Sequence, residues 1–121
     1  MARVLVVEDN RSIARLIDII LSGAGHSIET VNTGKLALDS ISSEPPDLVL
    51  LDLELPDTDG FRVLESIREV ETAAGVRVVA FTSHTEHDIV RDVGAAGFDA
   101  YIPKPVVPDE FVKQIEAILA R

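Results

Sequence analysis

The chain of 121 residues has no cysteine and no tryptophan, and only one tyrosine and four phenylalanines. Without cysteine there are no disulfides and no thiolate metal sites, and the absence favours a reducing compartment, read here as the cytoplasm. Basic residues are also scarce, with 11 Lys and Arg against 21 Asp and Glu and a formal net charge of -10. Direct nucleic-acid binding needs a clustered excess of positive charge to neutralise phosphates, so that class is set aside; a metal cation or a basic protein surface suits the chain better. No apolar run reaches the roughly 20 residues of a membrane span. The first run, Val4-Leu5-Val6-Val7, meets Glu8 and Asp9 too early to serve as a signal peptide. What is present is an ordinary globular balance, 46% hydrophobic and 26% charged, enough for one domain over residues 1–121 that folds by burial.

Short apolar blocks alternate with helical periodicities along the whole length. Residues 3–7 read as a strand broken by Glu8-Asp9-Asn10. From Ser12 to Ala24, the residues Ile13, Leu16, Ile17, Ile20 and Leu21 recur at three and four, which predicts an amphipathic helix with Asn10 as N-cap and Gly23 and Gly25 at its end. Ile19 lies off that stripe. Residues 27–31 predict a second strand, and Thr33 to Ser42 a helix carrying Leu36, Ala37, Leu38 and Ile41. The stretch from Asp47 to Pro56 is a buried strand that delivers Asp52 to its rim before Pro56 stops it. Leu55 to Gly60 is loop chemistry, and Phe61, Val63, Leu64, Ile67 and Val70 then mark a third helix closed by Ala73-Ala74-Gly75. A fourth strand runs from Val76 to Phe81, a short helix from Glu86 to Ala95 with Ile89, Val90 and Val93 inward, and a fifth strand from Phe98 to Ile102. Pro103-Lys104-Pro105 ends that strand, and Pro108 opens a last helix, Asp109 to Ala120, with Phe111, Val112, Ile115, Ile118 and Leu119 apolar. Five strands alternating with five helices specify an α/β fold, a parallel sheet covered on both faces with right-handed crossovers.

In such sheets ligands bind at the carboxyl ends of the strands. Those ends carry Glu8 and Asp9, Asp52, Thr82 and Lys104. Taken singly, Asp52 fits the start of a loop as well as it fits chemistry, Glu8 and Asp9 fit a solvated turn, and Lys104 fits a surface charge. Together on one rim, three carboxylates repel one another unless a cation or protons neutralise them. Oxygen ligands without His or Cys point to Mg²⁺, with Mn²⁺ as a substitute, and the Glu54 backbone carbonyl can add a ligand. Lys104 and the Thr82 hydroxyl offer a charge and a hydrogen bond to an anion beside the metal, the equipment of phosphoryl transfer, with Asp52 as the acid placed to accept the group.

The segments Val4-Leu5-Val6-Val7-Glu8-Asp9, Asp47 to Pro56 with Asp59-Gly60, Val78-Val79-Ala80-Phe81-Thr82-Ser83 and Tyr101-Ile102-Pro103-Lys104-Pro105 resemble a response-regulator receiver domain over the whole length. The resemblance implies a flavodoxin-like, three-layer (βα)5 sandwich with strand order 2-1-3-4-5. It also implies Asp52 phosphorylated by a histidine kinase or His-phosphotransfer protein, and Mg²⁺ held by Glu8, Asp9, Asp52 and the Glu54 carbonyl. Thr82 and Tyr101 would move on phosphorylation and alter a surface read by a downstream protein, in a monomer or a weak phosphorylation-dependent dimer. Glu54 and His84 flank the phosphoryl site and would tune its lifetime. The family's peptide bond after the lysine is often cis, and Lys104-Pro105 can adopt that form. Pro103, Ser83 and Val106 depart from the commonest family pattern, and Pro103 requires strand five to be an edge or irregular there. Two other classes compete. A Mg²⁺-dependent phosphatase would use an aspartyl-phosphate intermediate, but has Glu54 where such enzymes carry a second aspartate. A receiver-like interaction module that never takes up phosphate has no need of the complete acid, hydroxyl and lysine set.

Overall fold

The computed structural model describes residues 2–70, 73, 75–83 and 87–121. Its strands are β1 (Arg3–Val7), β2 (Ser27–Val31), β3 (Leu48–Asp52), β4 (Arg77–Thr82) and β5 (Ala100–Pro103). They form one parallel sheet in the order β2-β1-β3-β4-β5. The helices are α1 (Arg11–Gly23), α2 (Gly34–Ser43), α3 (Gly60–Glu69), α4 (His87–Ala96) and α5 (Pro108–Leu119), each preceded by the strand of the same number.

Alternation along the strands divides the interior in two, because successive side chains point to opposite faces. Val4, Val6, Leu48, Leu50, Val79 and Phe81 meet Ile17 and Leu21 of α1 and Phe111, Ile115 and Ile118 of α5. Leu5, Val7, Val49, Leu51, Val78 and Ala80 meet α2, α3 and α4 through residues such as Ile41, Leu64, Ile67 and Val93. Every residue of β3 is buried, which is why its sequence is a continuous apolar run ending in Asp52. The edge strand β2 is by contrast half-exposed and mixed in composition.

Side-chain caps fix the helix starts. Asn10 Oδ1 accepts the Ile13 amide, Thr33 Oγ1 that of Leu36 and Asp59 Oδ1 that of Arg62, at 3.0–3.1 Å. Thr33 is therefore the cap of α2 and not its first turn. α3 stops at Glu69, before the predicted Ala73-Ala74-Gly75 close, because the Val70 amide turns back to the Ile67 carbonyl. The fifth strand starts at Ala100: Phe98 packs into the core, and the Asp99 carboxylate is occupied by the Val78 amide at 2.7 Å. Pro103 closes this strand on the sheet's edge, where its missing N–H costs no ladder bond. Three helix positions expected to face inward, Leu16, Leu36 and Val90, are instead exposed, as is Ile19. The bond between Lys104 and Pro105 is cis.

Candidate functional site

Among the described residues, the buried polar or charged ones are Glu8, Asp52 and Thr82, and all three stand at the carboxyl rim of the sheet. They sit at adjacent strand ends because the order places β1, β3 and β4 side by side. Asp9, the next residue after the buried Glu8, is exposed. Glu8, Asp9 and Asp52 each bring a carboxylate oxygen to within 4.8 Å of the others. Lys104 comes from beyond the edge strand and reaches into the cluster. Its Nζ lies 2.7 Å from Glu8 Oε2, 3.3 Å from Asp52 Oδ2 and 4.9 Å above the centre of the Phe81 ring. Its root is fixed by the Lys104 amide donating to the Thr82 carbonyl at 2.9 Å.

Burial pushes the Glu8 carboxyl above the ordinary glutamate value, and the Asp52 charge adds to the rise. Hydrogen bonds from the Lys104 ammonium and the Asn10 amide, the latter at 3.2 Å, oppose it. Asp52 Oδ1 accepts the Glu54 amide at 3.0 Å, which turns the other carboxylate oxygen toward Lys104. One ammonium thus faces three acids, so the cluster retains room in its charge balance for a cation.

The rim opens into a cleft of about 580 Å³. Its walls include Glu8, Asp9, Asp52, Glu54, Thr82 and Lys104, the residues that the sequence brings together. Ile13, Leu16, Pro105 and Val106 add an apolar margin. Tyr101 lies elsewhere, half-buried on β5 against the core beneath α4. His84 is outside the described residues.

The family model for the response regulator receiver domain matches residues 4–116. The chain belongs to the response regulator receiver domain family. Among curated relatives, this receiver is 38% identical over 120 residues to the DNA-binding response regulator MtrA of Mycolicibacterium paratuberculosis, covering 98% of this chain and 52% of that protein. It is 34% identical over 121 residues to the response regulator ArlR of Staphylococcus epidermidis, covering 100% of this chain and 54% of the relative. The receiver thus spans about half the length of these relatives. Among solved structures it is similar to the chemotaxis response regulator CheY4 of Vibrio cholerae, with a TM-score of 0.92 at 25% identity and 98% of both chains covered. A two-component response regulator from Clostridium difficile gives a TM-score of 0.91 at 26% identity, covering 100% of this chain and 98% of that one. Receiver domains of this family bind Mg²⁺ at an acidic pocket, and in this chain Glu8, Asp9 and Asp52 form an acidic group close enough together to share a cation. All its donors are hard oxygens, which suits Mg²⁺. No helix among the described residues is long and apolar enough to cross a membrane.

Two residues of the receiver's site escape sequence reading. Phe81 reads as a core residue of a strand, yet its ring also underlies the Lys104 ammonium. Gly60 reads as a turn glycine, whereas its constraint is close approach: a Cβ there would lie 2.8 Å from the Asp52 carbonyl oxygen and 2.9 Å from Leu53 Cα. Because those neighbours are backbone, Gly60→Ala must displace the segment that carries Asp52. We expect the variant to lose about 1–3 kcal/mol of unfolding free energy in urea titrations. An unchanged midpoint and slope would mean that the segment yields without cost.

Proposed function

We propose that residues 1–121 form a phosphoaccepting switch in which Asp52 is the phosphoacceptor. The observation that carries this reading is that the buried polar or charged residues among those described all stand on one rim, with Lys104 Nζ within 3.3 Å of both Glu8 and Asp52 carboxylates. The Asp52 carboxylate attacks phosphorus. An O–P bond forms as the P–N bond of a phosphohistidine, or the P–O bond of an acyl phosphate, breaks, and the leaving group departs with the electron pair. Lys104 binds the phosphoryl oxygens with a charge-assisted hydrogen bond, and the Thr82 hydroxyl donates to another. Glu8, Asp9, Asp52 and the Glu54 carbonyl are the groups that would hold Mg²⁺, which when bound neutralises charge on the phosphoryl oxygens. Thr82 and Tyr101, on β4 and β5, carry the change to the surface, and the Glu54 side chain at the cleft mouth, with His84, sets the lifetime of the phosphate.

The partners are a histidine kinase or a His-phosphotransfer protein, and a downstream protein, in the cytoplasm. The absence of a second aspartate two residues beyond Asp52 speaks against a turnover phosphatase. The test is incubation with a small acyl phosphate and Mg²⁺, followed by intact-protein mass and peptide mapping. One hydroxylamine-labile phosphoryl group per chain, mapped to Asp52 and lost when metal is chelated, is the expected result. Many turnovers per chain would favour the phosphatase, and no adduct would leave a phosphorylation-independent module.

Metal should also be visible in stability. Mg²⁺ at about 100 times its dissociation constant is expected to add roughly 2.7 kcal/mol, read as a rise in melting temperature. A melting temperature indifferent to Mg²⁺ would remove the metal from this account.

A further inference from the structure

The first amides of a helix have no intrahelical acceptor. In α2 the Leu36 amide is taken by its own cap, Thr33. The two amides before it are taken by a residue far along the chain: Gly34 N–H donates to Asp57 Oδ1 at 2.9 Å and Lys35 N–H to Asp57 Oδ2 at 3.1 Å. These two bonds hold the Asp57 carboxyl below the usual aspartate value. Asp57 belongs to the loop that leaves β3 carrying Asp52 and Glu54.

That loop is stiff within itself. The Leu55 amide donates to the Thr58 carbonyl at 3.1 Å, the Gly60 amide to the Leu53 carbonyl at 2.9 Å, and Glu54 and Asp59 form an isolated antiparallel bridge. Whatever fixes Asp57 therefore fixes Glu54 through a short, hydrogen-bonded path. The seat on α2 is close as well. A Cβ on Gly34 would stand 2.5 Å from Thr58 Cγ2 and 2.9 Å from Val63 Cγ2, so only glycine admits the loop at this distance. Asp57 itself is not among the residues lining the acidic cleft.

We propose that Asp57 is a positioning residue for the metal site: by bridging the Gly34 and Lys35 amides it latches the loop after β3 onto α2 and thereby sets how tightly the acidic pocket holds a divalent cation. The proposal rests on the reading of Glu8, Asp9, Asp52 and the Glu54 carbonyl as the metal's ligands. Coupling between sites is reciprocal, so metal binding must in turn tighten the latch.

The test is calorimetric titration of the metal-free protein with Mg²⁺, together with amide hydrogen exchange at Gly34 and Lys35 followed by NMR. Asp57→Ala is expected to weaken Mg²⁺ binding about 10-fold, the effect typical of losing a group that orients a metal ligand. Asp57→Asn, which keeps one acceptor oxygen, falls between Asp57→Ala and wild type, and Gly34→Ala weakens binding by pushing Thr58 outward. Lys35→Ala leaves it unchanged, because Lys35 contributes only its backbone. In the wild type, Mg²⁺ slows exchange at both amides; in Asp57→Ala it does not. A folded Asp57→Ala protein with the wild-type affinity overturns the proposal. Should that variant not fold, exchange at Gly34 and Lys35 in the wild type that ignores Mg²⁺ overturns it equally. Wild-type protein that binds Mg²⁺ and takes up phosphate while every Asp57 variant matches it removes the latch alone, whereas wild-type protein that binds no Mg²⁺ removes the metal reading and the latch together.

Discussion

Asp52→Asn is expected to remove phosphoryl uptake entirely while leaving the protein folded. The amide has nearly the shape of the carboxylate and can still accept the Glu54 amide through its oxygen, so the loop keeps its anchor. It has no anionic oxygen with which to attack phosphorus. No neighbour replaces it: Glu8 is buried and paired with Lys104, and Asp9 projects into solvent. The substitution also deletes one of three mutually repelling charges and one cause of the raised Glu8 carboxyl. Metal-free Asp52→Asn should therefore unfold at the same or a higher urea concentration than wild type, and gain less from Mg²⁺. The two readouts separate chemistry from folding. An adduct of wild-type yield in a folded Asp52→Asn protein would place the phosphoacceptor elsewhere.

Lys104→Ala is expected to have the largest effect on stability. Lys104 is the cation that the cluster supplies from within the chain, and its side chain is 15% exposed while that of Glu8 is 1% exposed. Removing one partner of a buried pair leaves the other charge unpaired, at a cost of about 3–5 kcal/mol. The sign of the pH dependence follows from Glu8. Its carboxyl is already raised in the folded protein, and losing the Lys104 hydrogen bond, which lowers it, must raise it further. A carboxyl raised by folding binds its proton more tightly in the native state than in the unfolded chain. The variant's deficit should thus stay small up to the wild type's raised Glu8 value and grow as pH climbs from there to the variant's still higher one. Urea titrations of metal-free wild type and variant at acidic and neutral pH measure it directly. A deficit of equal size at both would show that Lys104 stabilises through packing on Phe81 and not through charge. Phosphoryl uptake should fall as well, since the positive group that meets the phosphoryl oxygens is gone.

Much of this arrangement was legible in the sequence, for identifiable reasons. The continuous apolar runs of β1, β3 and β4 report two-sided burial, and the polar residue that ends each run reports the rim. Parallel topology then brings Glu8, Asp9, Asp52, Thr82 and Lys104 together without any knowledge of side-chain geometry. The strand order came from family resemblance, not from periodicity. Periodicity also names residues that share a helix face without saying how wide a strip the sheet covers, which is why Leu16, Leu36 and Val90 were expected inside and stand outside. The Phe81 platform and the Asp57 bridge left no trace because each depends on one side chain meeting a group more than 20 residues away. Such contacts have no period and no local composition.

The sheet that divides the interior has a consequence for how this receiver can change. Among the described residues, the cluster beneath α1 and α5 and the cluster beneath α2, α3 and α4 have no member in common, so substitutions on opposite sides should combine close to additively. Each helical layer can be redrawn by drift or by design while the opposite one keeps its fit. The cleft margin formed by Ile13, Leu16 and Val106 belongs to the α1 and α5 side, whereas Tyr101 packs on the other. The surface flanking the cleft and the surface around Tyr101 are thus free to diversify on separate evolutionary clocks.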